Sequence, residues 1–174
     1  MKEYIIYGVC IFFGVLILIY FLVWLILYLK VRSSFKKLDV FLKRRSELSK
    51  TYMVMIYDSF LQEQAALIAV NDINGKLGSI VDHHEYFELN SRLSDEYRRI
   101  FASIPNYPEL RNKENFDNIH SELTTLENSI DVSRKVYNNK TKNYNFRMGK
   151  FPFKIFGVKE KPLYITKYDR FNDN

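Results

Sequence analysis

The side chains best able to do chemistry in this 174-residue chain are three histidines, one cysteine and a cluster of lysines and arginines. His83 and His84 stand together in Asp82-His83-His84-Glu85. Neighbours on a helix point about 100° apart, so this pair cannot grip one metal ion as an i, i+4 pair can. They read as exposed polar residues at a helix start, with Asp82 as the cap. Asp117 and His120 have the i, i+3 spacing of acid-x-x-His ligands in di-metal carboxylate bundles. Such a centre takes carboxylates from other helices and a second acid-x-x-His, and the sequence has no second copy. His120 also flanks an apolar stripe rather than lying within it. A bundle metalloenzyme built on Asp117 and His120 is therefore the alternative and not the main reading.

Cys10 sits inside an apolar run and reads as a small apolar residue there. As the sole cysteine it allows no intrachain disulfide and no cysteine-based zinc site. The sequence contains no HExxH, GxSxG, GxxxxGK[ST] or GxGxxG pattern. No catalytic residue, metal ligand or cofactor is expected, and the chain does not read as an enzyme.

The basic cluster is Lys30, Arg32, Lys36, Lys37, Lys43, Arg44 and Arg45. The formal charge is +6, and since Lys2 and Glu3 cancel, it belongs to the residues after the apolar run. A basic domain invites a nucleic-acid reading, but no recognised nucleic-acid module accompanies the charge. Beside an apolar run, attraction to anionic lipid headgroups is the simpler use of all seven.

That run, Tyr4 to Leu29, is uncharged throughout. As a helix it reaches roughly 39 Å, enough to cross a hydrocarbon core of about 30 Å with some tilt. Tyr4 and Tyr7 near one end and Trp24 and Tyr28 near the other suit the two membrane interfaces. The run is too long for a cleaved signal and ends without a small-residue cleavage site. The excess of Lys and Arg after Leu29 predicts a single-pass protein with its N-terminus outside and its C-terminal domain in the cytoplasm.

The expected organisation is a short exterior segment 1–3, a transmembrane helix 4–29, a helical domain 30–150 and an irregular tail 151–174. Within the domain, helices are expected at about 32–58, 61–74, 83–104 and 113–149. All four prolines lie at or after Pro105, which favours an all-α domain. Phe116, Leu123, Ile130, Tyr137, Tyr144 and Phe151 recur every seven residues, with Ile119 and Leu126 beside them. That repeat serves either a coiled-coil dimer or an intramolecular core. Upstream stripes favour the core: Phe41, Leu48 and Met55 with Leu38 and Tyr52, then Ile56, Phe60, Leu67 and Val70, then Phe87 to Ile104. Asn71 to Gly75, with Gly78, reads as a turn. The tail is dense in aromatics and lysines. Phe153, Phe156, Lys159, Lys161 and Tyr164 are candidates for contact with a partner protein, or the tail is a cover for the bundle.

Three segments resemble the LemA family of bacterial membrane proteins. SSFKKLDVFLKRRSEL after the apolar run looks like that family's first soluble helix, including Asp39 and Lys43-Arg44-Arg45. NYPELRNKENF, residues 106–116, is close to its loop before the last helix. ELTTLENSIDVSRKVYNNKTKNYNFRMGKFP and FGVKEKPLY look like the last helix and its tail. SELSKTYMVM and the QEQAALIAVNDINGKLGSIVDHHEYFELN middle depart from the family pattern. The resemblance implies an up-and-down four-helix bundle on a membrane stalk, with a corner near Asp58 to Gln62. It carries over no catalytic residue. The reading is a membrane-anchored, non-catalytic scaffold or adaptor in the bacterial inner membrane. Its partners would be anionic lipids, an unidentified protein or a second copy of itself, without nucleic acid. The alternatives are the metalloenzyme and a signal relay coupling the anchor to the bundle.

Overall fold

The computed structural model describes residues 2–60, 64–156 and 161–164, and every regular element among them is helical. Helix α1 spans Lys2–Ile56 without a break. The separate helices expected at 4–29 and 32–58 are one rod of about 82 Å. The junction from Leu29 to Phe35 holds no Gly or Pro, and the Ser34 hydroxyl folds back onto the Lys30 and Val31 carbonyls at 3.0 and 2.8 Å.

The rod ends where no breaker stands in the sequence. Tyr57 to Ser59 form a turn, and the Ile56 carbonyl accepts the N–H groups of Ser59 and Phe60. Phe60 is fully buried and stacks on Tyr107 at 4.3 Å. Packing therefore makes this corner, at the place the resemblance implied. Residues 61–63 of it lie outside the described set.

Helix α2 spans Gln64–Leu77 and α3 spans His83–Ser103. The turn expected at Asn71 to Gly75 is instead helical. Ile73 is buried, and the Asn74 amide donates to Ser49 Oγ on α1 at 2.7 Å, so side-chain anchoring carries α2 past a weak helix sequence. The chain reverses at Gly78 and Ser79. Asp82 then caps α3 by accepting the Glu85 N–H at 3.1 Å. After α3, two 3-10 turns, Ile104–Asn106 and Pro108–Asn112, seat Leu110 in the core. Asn115 takes a left-handed conformation, φ 61°, which delays α4 to Phe116–Met148 rather than about 113.

The four helices run up and down. Lys113 Nζ donates to the Met55 carbonyl at 2.6 Å, and the Phe35 and Tyr137 rings lie 6.0 Å apart, so α4 is antiparallel to α1. His83 lies against Phe35 and Phe101 against Tyr52, so α3 is parallel to α1. The seven-residue seam of α4 is the intramolecular core: Phe116, Leu123, Ile130, Tyr137 and Tyr144 are all buried. Phe151 does not continue it and is 78% exposed, because α4 stops at Gly149 and the helical phase is lost. On α1 the buried line is Leu38, Leu42, Arg45, Ser49, Tyr52 and Ile56. Phe41, Leu48 and Met55 sit on its shoulder, half-buried.

The core lies in two apolar clusters. One surrounds Tyr52, Phe60, Leu67, Leu93, Phe116 and Leu123. The other surrounds Leu38, Phe87, Ile130, Tyr137, Tyr144 and Tyr164, and takes in Trp24, Leu27 and Tyr28 from the apolar run. Leu123 has no exposed surface. Leu123→Ala should cost about 2–5 kcal/mol in chemical denaturation of the detergent-solubilised chain. Val54→Ala, at a position 77% exposed, should stay within about 0.5 kcal/mol. Equal effects at the two positions would contradict this core.

Candidate functional site

Between the two apolar clusters lies a polar centre built around Arg45. A KRR run reads as a solvated face, yet Arg45 has no exposed surface. Its Nη1 donates to Ser94 Oγ at 2.7 Å and to Glu127 Oε1 at 3.0 Å, and its Nη2 donates to Asn90 Oδ1. Burial disfavours a charged guanidinium, but Glu127 outweighs that, and the pKa is raised. The expectation that Arg45 meets headgroups is thus corrected. It stands at i+3 and i+7 from Leu42 and Leu38, on the buried stripe of α1, and that phase was the available signal. Below it, Tyr97 donates to Ser49 Oγ. Above it, the Tyr86 hydroxyl donates to Asp39 at 3.1 Å, and Asp39 pairs with Lys43 at 2.7 Å.

This centre holds charge without an evident reactive group. Burial pushes the Tyr97 and Tyr164 phenols up to about 12. Burial also raises Tyr52, Tyr86 and Tyr137. These phenols are neutral hydrogen-bond partners at ordinary pH. On the outer side of Asp39 and Tyr86, a cleft of about 380 Å³ opens between α1 and the α2–α3 connection, edged by Phe35, Lys43, Asp82 and His83.

Asp117 and His120 do not converge on further ligands. Among the described residues no group of three His, Cys, Asp or Glu side chains comes together. His120 Nδ1 shares a 2.9 Å hydrogen bond with the Tyr52 hydroxyl, and its ring stacks on Phe116 at 5.6 Å with Phe101 edge-on at 5.0 Å. Burial lowers its pKa, against the opposing pull of Asp117. His120 is an aromatic member of the core's edge. His83 and His84 are exposed, as expected of a helix start.

Of the other six basic residues, Lys30, Arg32, Lys36 and Lys37 are exposed. Lys43 is exposed but held by Asp39. Arg44 is bound by Glu122 through two hydrogen bonds, at 2.9 and 3.2 Å. Among the described residues the exposed basic face is therefore Arg32, Lys36 and Lys37, with Lys30 at its edge.

Segment 161–164 of the tail covers the bundle. Tyr164 is buried, stacks on Phe87 at 4.8 Å and lies 5.9 Å from the Arg134 guanidinium, so it is core and not a presented residue. Phe153 packs edge-on against Tyr20 at 5.9 Å, and Lys161 lies over the Tyr28 ring. Lys159 and the side chain of Phe156 lie outside the described residues. Segment 161–164 is clamped by two asparagines of α4. Asn145 donates to the Lys161 carbonyl and accepts its N–H, at 2.8 and 2.9 Å. Asn138 does the same for Tyr164, at 2.7 and 2.9 Å. The Tyr137 hydroxyl adds a bond to the Pro162 carbonyl at 2.8 Å. The two asparagines, seven apart beside the seam, were readable as a pair, although their target was not.

Two outcomes follow from this chemistry. Glu127→Ala should destabilise the fold by about 3–5 kcal/mol, and Arg45→Met with Glu127→Met should cost less than that single change, because no unpaired buried charge remains. A double variant worse than Glu127→Ala would contradict the pairing. In pH titration of stability, the buried phenols keep their protons in the folded state after the unfolded chain releases them near about pH 10. The phenols' contribution should be level below about pH 10, and stability should fall as pH rises toward the folded values of about 12. His120 has the opposite sign: its contribution is present above about pH 6.5 and is lost as pH falls through its lowered folded value. Stability that holds flat through pH 12 would overturn the phenol assignment.

A model of the LemA family matches residues 34–171, from just past the apolar run through all four bundle helices into the tail. No curated protein matches the chain.

Proposed function

The chain belongs to the LemA family, and from that premise we propose that it is a membrane-anchored, non-catalytic helical scaffold of the bacterial inner membrane. The observation that carries the reading is the unbroken α1. Its apolar part is long and apolar enough to cross a membrane, and the same helix supplies one wall of the bundle. A bundle fastened to its span in this way has a fixed height above the bilayer and turns only together with its span. Such a body works by holding surfaces in place. Arg32, Lys36 and Lys37 give one cationic face, for lipid headgroups or an acidic partner protein.

The continuous helix also favours a second reading, a relay in which a change in the membrane segment is passed into the bundle. The two differ in what they ask of the anchor. A scaffold needs any span of the right length, whereas a relay needs this one.

Photo-crosslinkers at Arg32, Lys36 and Lys37 in native membranes should capture a defined protein partner. Exchanging residues 4–19 for an unrelated apolar helix of equal length should leave that adduct unchanged. Loss of the adduct on exchange would support the relay, and lipid adducts alone from the natural chain would assign this face to headgroups and sink it as the partner-holding surface. Orientation is tested by fusions after Asn174. A fluorescent protein should be bright there and a periplasm-dependent phosphatase inactive. An active phosphatase would place the bundle outside the cytoplasm.

A further inference from the structure

The apolar run and the bundle overlap along α1. Residues 3–22 are exposed apart from a half-buried Leu16, while Val23, Trp24, Leu25, Leu27 and Tyr28 are half-buried against protein. Residues 3–22 measure about 30 Å as a helix, which is the thickness of a hydrocarbon core. The lipid boundary therefore falls near Leu22 to Trp24 rather than at Leu29. At that same level the antiparallel α4 comes to its end. Met148 is buried in the cluster that Trp24 joins, and Phe153 touches Tyr20.

Two phenylalanines beside this boundary are mostly exposed among the described residues. Phe146 is 62% exposed and Phe151 is 78% exposed. Arg147, Lys150 and Lys154 lie close to them in the chain, all exposed, and Lys150 Nζ lies 3.9 Å from the Phe146 ring centroid. Apolar rings at the depth of a bilayer surface, on a segment that also carries exposed cations, match the layered chemistry of an anionic membrane interface.

We propose that the last turn of α4 and the loop after it form a second membrane contact. Phe146 and Phe151 enter the interfacial layer, and Arg147, Lys150 and Lys154 meet anionic headgroups. The occupant is the bilayer that residues 3–22 already cross, so the proposal rests on the anchor reading. Its site is distinct from the basic face of Arg32, Lys36 and Lys37. With two attachments, the bundle cannot swivel about the axis of α1.

The test uses the full chain with Trp24→Phe, which removes its single tryptophan. Single tryptophans are then placed by Phe13→Trp, Phe151→Trp and Tyr57→Trp. Each is reconstituted in phosphatidylcholine–phosphatidylglycerol nanodiscs with acyl chains brominated either near the headgroup or near the terminal methyl. Phe151→Trp should lose most fluorescence to the shallow bromines and Phe13→Trp to the deep ones. Tyr57→Trp, at the far end of α1, should lose none. Adding Lys150→Glu and Lys154→Glu should reduce the shallow quenching of Phe151→Trp while circular dichroism is unchanged. A Phe151→Trp as bright as Tyr57→Trp, with Phe13→Trp quenched, refutes the second contact and leaves the anchor intact. An unquenched Phe13→Trp refutes the anchor itself. Quenching of Phe151→Trp that ignores the charge reversals overturns the anionic part. Crosslinking of unquenched Phe151→Trp to a second copy assigns the patch to self-association instead.

Discussion

The buried guanidinium of Arg45 is the constraint to which the rest of the bundle is fitted. An unpaired buried charge costs several kcal/mol, so its partners must arrive together. They come from two other helices: Asn90 and Ser94 from one turn of α3, and Glu127 from α4. A slip of one residue along α3 would swing Asn90 and Ser94 aside by about 100°. Apolar stripes tolerate such a slip far better than a charge does. Leu, Ile and Phe supply the bulk of the core, and the polar layer fixes the register at which they meet.

Much of this was legible in the sequence, and the failures have physical causes. The α4 seam from Phe116 to Tyr144 was readable because a seven-residue repeat has few other uses on a long helix. Phe151 looked like its next member, but the repeat holds only while the helix lasts, and Gly149 ends it. The corner after Ile56 carries no Gly or Pro, because Phe60 and Tyr107 make it by packing from distant parts of the chain. Arg45 was misread through its neighbours. Lys43 and Arg44 do face outward, and local composition hid that the third residue of the run lies on the stripe of Leu38 and Leu42. Tyr164 looked presented because nothing in the tail announces the Phe87 ring that receives it.

The candidate site was less legible than the fold. An arginine, two serines, asparagines and tyrosines on four helices share no spacing that marks a motif. Their meeting is a tertiary fact, made by Arg45, Ser49, Asn74, Asn90, Ser94, Tyr97 and Glu127 on separate elements. The same holds for the overlap of bundle and apolar run. Hydropathy marks the run to Leu29, but only the packed structure assigns its last turns to protein.

The asparagine clamp on the tail gives the chain a common measure. Asn138 and Asn145 are two helical turns apart, about 10.5 Å along α4. Lys161 and Tyr164 are three extended residues apart, about 10 Å. Side-chain amides at that interval imitate the rungs of a β-ladder, so the irregular segment 161–164 is paired to a helix. The pairing works only where the two periods coincide. Length changes in this region are therefore quantised: seven residues in α4 answer to three in the tail. A single insertion between Lys161 and Tyr164 would put one amide out of step and draw Tyr164 off Phe87.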